Sequence, residues 1–113
     1  MAFAKTAKLQ GSNEKYAVHP EVKRYTLRDN GFEETKTGNF QYIRALDVVP
    51  ENKPGLKLKI IVSNDLTQLK ISVTTSNGLQ AVNIYKGNAF SEARERYEFI
   101  MRDFVEQGIV EKV

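Results

Sequence analysis

Apolar residues recur along this chain with two periods. Over residues 2–9, Phe3, Lys5, Ala7 and Leu9 alternate with Ala4, Thr6 and Lys8, the period of a half-buried strand. Gly11-Ser12-Asn13 supplies a turn, and Lys15-Tyr16-Ala17-Val18 returns as a second short strand, giving an N-terminal hairpin. Residues 32–36 and 40–49 flank Thr37-Gly38-Asn39. The second arm sets Phe40, Tyr42, Arg44, Leu46 and Val48 against Gln41, Ile43, Ala45, Asp47 and Val49, so both faces carry apolar groups and the strand reads as central. Residues 50–55 hold two prolines and form a loop. The clearest alternation follows, with Leu56, Leu58, Ile60 and Val62 on one side and Lys57, Lys59 and Ile61 on the other. Residues 69–74 repeat it. Asn77-Gly78 then predicts a tight hairpin, with Val73 opposite Val82, Ile71 opposite Ile84 and Thr74 opposite Ala81. That register puts Lys70, Ser72, Asn83 and Tyr85 together on the polar face.

The second period, three to four, runs through Phe90, Ala93, Tyr97, Ile100, Met101, Phe104 and Val105, one face of an amphipathic helix. Asn88 or Ser91 suits its start and Gly108 its left-handed end. Glu98 and Arg102 stand at i,i+4 on the wet face, placed to pair. A shorter helix is expected near residues 20–29, opened by Pro20 and Glu21, with Val22, Tyr25 and Leu27 turned inward and Asn30-Gly31 stopping it. The expected fold is α+β. An antiparallel sheet, one large or two smaller, of about seven strands, packs against one long C-terminal helix in a single domain over residues 1–113.

Composition narrows the chemistry. A chain of 113 residues buries roughly two-thirds of its extended surface on folding, enough for a core without staples. It has no Cys and one His, which removes disulfides and cysteine metal sites. The N-terminus lacks a basic segment followed by an apolar run, and no apolar stretch is long enough to span a bilayer, so a cytoplasmic protein without membrane contact is expected. The net charge of +3 is spread over mixed charges along the chain, which reads as solubilising charge and makes a nucleic-acid partner the less favoured expectation.

No motif supports catalysis. His19 has no partner of metal-ligand spacing, and HExxH, GxGxxG, GxxxxGK[ST] and GxSxG are all absent. Glu33 and Glu34 are neighbours on a strand and point to opposite faces. No catalytic residue, metal site or cofactor is expected. Two groups of residues are candidates for contact. Lys57, Lys59 and Lys70, with Tyr85, would form a face for an anionic ligand or single-stranded nucleic acid; the same lysines also serve an ordinary solvated sheet. Tyr25, Arg28, Asp29, Asn30, Phe32, Tyr42 and Arg44 fall in the segments richest in Arg, Asn, Gly and aromatic residues, a composition that suits a small ligand or protein partner and equally a tight turn with Arg stacked on a ring.

At this second group the sequence resembles the domain of unknown function 1831 family, small proteins of lactobacilli and related Firmicutes. The likeness runs from the N-terminal MAF and HPEVKRYTLRDNGF through GNFQY to the C-terminal helix, nearly the whole chain. Its most specific part is YTLRDNGF followed by GNFQY. The resemblance implies sheets packed on a helix and a place in amino-acid metabolism, with sulfur amino acids among the options; it supplies no catalytic residue. The favoured expectation is a non-enzymatic accessory protein that binds a small metabolite or protein partner, centred on Arg28, Asp29, Tyr42 and Arg44. The alternative is a weak binder of single-stranded nucleic acid or another anionic ligand through Lys57, Lys59 and Lys70. Monomer and homodimer are both compatible with the pattern.

Overall fold

The computed structural model describes residues 4–9, 11–46, 56–75, 80–85 and 91–113. In chain order its elements are β1 (Thr6–Lys8), β2 (Lys15–Val18), α1 (Arg24–Asp29), β3 (Glu33–Glu34), β4 (Phe40–Ala45), β5 (Leu56–Val62), β6 (Leu69–Thr75), α2 (Ser91–Glu106) and β7 (Val110–Lys112). They form two antiparallel sheets, β1-β2-β7 and β3-β4-β5-β6. A bridge between Ala4 and Leu69 joins the first sheet's leading strand to the edge of the second.

Strict alternation makes β5 and β6 a two-sided ladder. Leu58 lies opposite Val73 and Ile60 opposite Ile71, all of them buried. A one-residue slip would expose this entire set, so the apolar pattern fixes the register. On β4, Phe40 and Tyr42 join the same face opposite Val62 and Ile60. Helix α2 covers it with Ala93, Tyr97, Ile100, Met101 and Phe104. Each of the large side chains contributes about 1.5–3 kcal/mol by leaving water.

Both helices end in the same way. At α1, Gly31 N–H donates to Arg28 C=O and Phe32 N–H to Leu27 C=O; at α2, Gly108 N–H donates to Val105 C=O and Ile109 N–H to Phe104 C=O. These are Schellman pairs, closed by glycines at φ 94° and 76° and followed by buried apolar residues, Phe32 and Ile109. The Phe32 ring lies 5.5 Å from the Phe104 ring, which ties the first cap to the second helix's last turn.

Several details differ from the sequence expectation. Among the described residues the strands number seven, but the seventh is β7 rather than residues 80–85. The predicted register beyond Asn77-Gly78 begins as expected, with Thr74 bridging Ala81 and Val82 N–H donating to Val73 C=O. It then stops, because the Asn83 side chain accepts the Tyr85 N–H at 2.9 Å and takes that donor off the ladder. Ile84 is buried, but in a turn rather than opposite Ile71. Helix α1 starts at Arg24 rather than Pro20, after a turn in which Val22 N–H donates to His19 C=O. Tyr25, expected to face inward, is 61% exposed. Phe3, residues 47–55, Asn77-Gly78, Asn88 and Phe90 lie outside the described residues.

Candidate functional site

One groove gathers polar groups from both ends of the chain. Strand β2 and the turn before it bring Glu14 and Tyr16, β7 brings Lys112, and α2 brings Glu98, Arg102 and Val105 around a groove of about 230 Å³. This is small for a ligand site (~300–1,000 Å³), so it suits a compact metabolite. The Tyr16 hydroxyl donates to Glu14 Oε2 at 3.0 Å and Lys112 Nζ to Glu14 Oε1 at 2.9 Å. On the helix side the Tyr85 hydroxyl donates to Glu98 Oε2 at 2.9 Å, and the Arg94 guanidinium lies 6.0 Å from the Tyr85 ring centroid. The expected Glu98–Arg102 pair is not formed; the i,i+4 ion pair of α2 among the described residues is Arg96–Glu92, at 3.7 Å. Arg102 makes no hydrogen bond or ion pair among the described residues, though its charge bears on Glu14 and Tyr16.

Behind this wall lies Tyr97. It is wholly buried, its ring meets Tyr85 edge-on at 6.4 Å, and its hydroxyl has no hydrogen-bond partner among the described residues. Burial pushes the Tyr16 hydroxyl up to about 12, assisted by its bond to Glu14. Burial likewise raises Tyr85, with its bond to Glu98 adding to the effect, and Tyr97, where the neighbouring Tyr16, Tyr85, Glu14 and Glu98 add theirs. The Lys112 and Tyr16 hydrogen bonds hold the Glu14 carboxyl below the usual carboxylate range. At neutral pH all three tyrosines are neutral; Tyr16 and Tyr85 donate hydrogen bonds to carboxylates, and none of the three is suited to accept a proton. Recognition is therefore the chemistry this arrangement performs best.

The sequence-predicted groups are placed differently. Asn30 caps α1, its side-chain amide donating to Thr26 C=O at 2.8 Å. Phe32 and Tyr42 are buried and form a three-ring cluster with Phe104, at 5.3 Å from one another and 5.5 and 5.0 Å from it. Arg28 pairs with Glu34 at 2.8 Å and, with Arg24, lies 5.8 Å from the buried Phe40 ring. Arg44 reaches the Tyr42 hydroxyl at 3.5 Å, while Tyr25 and Asp29 are exposed on α1. The contacts of this group are mainly with the chain itself.

Lys57, Lys59 and Lys70 do share one face of the second sheet, opposite Thr74, Ser72 and Ile61. Tyr85 is not with them: it packs toward Tyr97 and Glu98 on the helix side, so the lysine face lacks the ring expected there. Ser12 and Lys15 have the S-x-x-K spacing of one class of serine nucleophile, which motif reading of the sequence passes over. They stand in a turn and on a strand, however, where Ser12 Oγ accepts the Glu14 N–H at 3.1 Å and Lys15 is exposed, so no helical turn brings them together. Among the described residues no group of three His, Asp or Glu side chains could hold a metal ion, and no helix is long and apolar enough to cross a membrane.

The groove itself escaped sequence reading because its walls come from positions 98 residues apart. The available signal was the set of tyrosines at inward positions of strand and helix, each with an apolar body and a polar tip that needs a partner.

Comparison with known proteins places these features in a group. A family model, DUF1831, with the description "Putative amino acid metabolism", matches residues 1–111. A crystal structure at 1.20 Å of a DUF1831 family protein from Lactobacillus plantarum is 39% identical with a TM-score of 0.91, covering 100% of this chain and 99% of that one. No curated protein matches the chain.

Proposed function

Because the chain belongs to the DUF1831 family, we propose that it is a cytosolic, non-catalytic accessory protein of amino-acid metabolism that binds a small metabolite carrying both charges. The groove between β2, β7 and α2 is the binding site. One observation carries this reading: Arg102, without a partner among the described residues, shares a groove of about 230 Å³ with the carboxylates of Glu98 and Glu14. A guanidinium there offers a fork of donors to a carboxylate or phosphate, and Glu98 offers an acceptor to an ammonium. The family description supports amino-acid chemistry and goes no further.

The test is a thermal-shift and calorimetric screen of wild-type protein against the free proteinogenic L-amino acids, repeated with Arg102→Gln. Binding to wild type that weakens at least tenfold in Arg102→Gln supports the reading. Binding that is indifferent to Arg102, or no binding at all, sinks it. Arg28→Ala and Arg44→Ala serve as controls for the α1–β4 surface: loss of binding there would move the site.

A further inference from the structure

The Tyr97 hydroxyl is a buried polar group without a partner among the described residues. Such an atom ordinarily destabilises the fold, and a phenylalanine would fill the same space without it. Its surroundings are specific. The Tyr97 ring meets that of Tyr85 edge-on at 6.4 Å, and the Tyr85 hydroxyl holds Glu98, a wall of the groove, so the orphan donor lies one side chain away from the candidate site. The neighbouring tyrosines are both engaged, Tyr16 with Glu14 and Tyr85 with Glu98. Among the described residues Tyr97 alone of the three keeps an uncommitted O–H.

Building on the reading of the groove as a metabolite site, we infer that Tyr97 is a specificity-determining residue that donates a hydrogen bond to the carboxylate of a free α-amino acid. Arg102 holds the same carboxylate from the solvent side, and Glu98 holds the ammonium. The exposed Glu98 side chain, anchored through Tyr85, is the part of the wall that moves to admit the ligand. This arrangement selects amino acids over amines that lack the carboxylate, because an amine would leave both the guanidinium and the buried O–H unmatched.

The experiment compares wild type, Tyr97→Phe and Arg102→Gln by calorimetry with free L-amino acids and with their decarboxylated amines, alongside thermal melts of each protein. The expected result is that Tyr97→Phe melts at or above the wild-type temperature yet binds amino acids roughly ten- to a hundredfold more weakly, the worth of a hydrogen bond to a charged group. Wild type should not bind the amines measurably. Undiminished binding by Tyr97→Phe overturns the inference while leaving the groove reading intact, provided Arg102→Gln still loses affinity. A melting temperature several degrees lower for Tyr97→Phe also overturns it, since the hydroxyl would then be partnered in the free protein. If no amino acid binds wild type, the groove reading fails and this inference falls with it.

Discussion

Glu14 and Lys112, 98 residues apart in sequence, meet through a 2.9 Å hydrogen-bonded ion pair that ties the N-terminal hairpin turn to the last strand. Both side chains are substantially exposed, at 41% and 57%, so solvent screening limits the pair to roughly 1 kcal/mol or less. Glu14→Gln is expected to lower stability by no more than that in urea melts and to bring the Tyr16 pKa down toward the ordinary tyrosine value, since its bond to the carboxylate helps raise it. The folded-state pKa of Glu14 is depressed, so its contribution is present above the ordinary glutamate value of about 4.3 and is lost as pH falls through the folded value. Wild type and Glu14→Gln should therefore converge in stability in acid. A gap that persists there would assign the effect to packing.

The three tyrosines around the groove predict the opposite limb of the pH profile. Their pKa values are raised in the fold, so their contribution is fully present below the unfolded value of about 10 and is lost as pH climbs through the folded values. Each tyrosine that stays neutral when folded and ionises when unfolded adds about 1.4 kcal/mol per pH unit to the slope. Stability measured by urea unfolding should be flat up to about pH 10 and then drop steeply, with much of the tyrosinate absorbance appearing together with loss of structure. Tyr85→Phe should flatten that limb. An unchanged slope would mean Tyr85 ionises freely in the folded state.

The strands were readable where alternation was long and a turn residue marked its end. Residues 56–62 and 69–75 fix their own register because they carry four and three inward apolar positions, Leu56, Leu58, Ile60 and Val62 against Leu69, Ile71 and Val73, whose exposure would be costly. Strand β7 was not readable, as three residues cannot display a period. The alternation that predicts Tyr85 beside the lysines ends at Asn83, whose side chain stops the ladder by capturing a backbone N–H. The groove was missed for a related reason. Glu98 and Arg102 at i,i+4 look like a solvated helix pair, and only the approach of β2 and Tyr85 diverts Glu98 from its neighbour and leaves Arg102 to the groove.

The two helix-ending glycines should differ in their tolerance of a side chain. Both sit in the left-handed region, where a Cβ costs roughly 1–2 kcal/mol. At Gly108 an added Cβ would meet nothing within 4 Å, whereas at Gly31 it would lie 3.3 Å from Cε1 of Tyr42. Gly108→Ala is expected to lose about 1–2 kcal/mol, and Gly31→Ala more, because the Tyr42 ring is held by Phe32 and Phe104 and has little room to yield. Chemical denaturation of both variants checks the ranking, and equal losses would show that Tyr42 gives way freely.

Phe104 joins more of the structure than any other ring of α2. Its ring contacts Phe32 and Tyr42, and its backbone carbonyl accepts the Ile109 N–H that closes the helix, so the residue connects the second sheet, the α1 cap and the approach to β7. Phe104→Ala is expected to cost about 3–5 kcal/mol, the usual penalty for emptying a packed aromatic site, and to widen hydrogen exchange at Ile109 and Val110 as the cap loosens. Phe99, on the same helix but 68% exposed, supplies the control: Phe99→Ser should change stability by about 0.5 kcal/mol or less. Comparable losses at the two positions would mean that Phe99 is covered in solution, and would point to association of the chain through that face of α2.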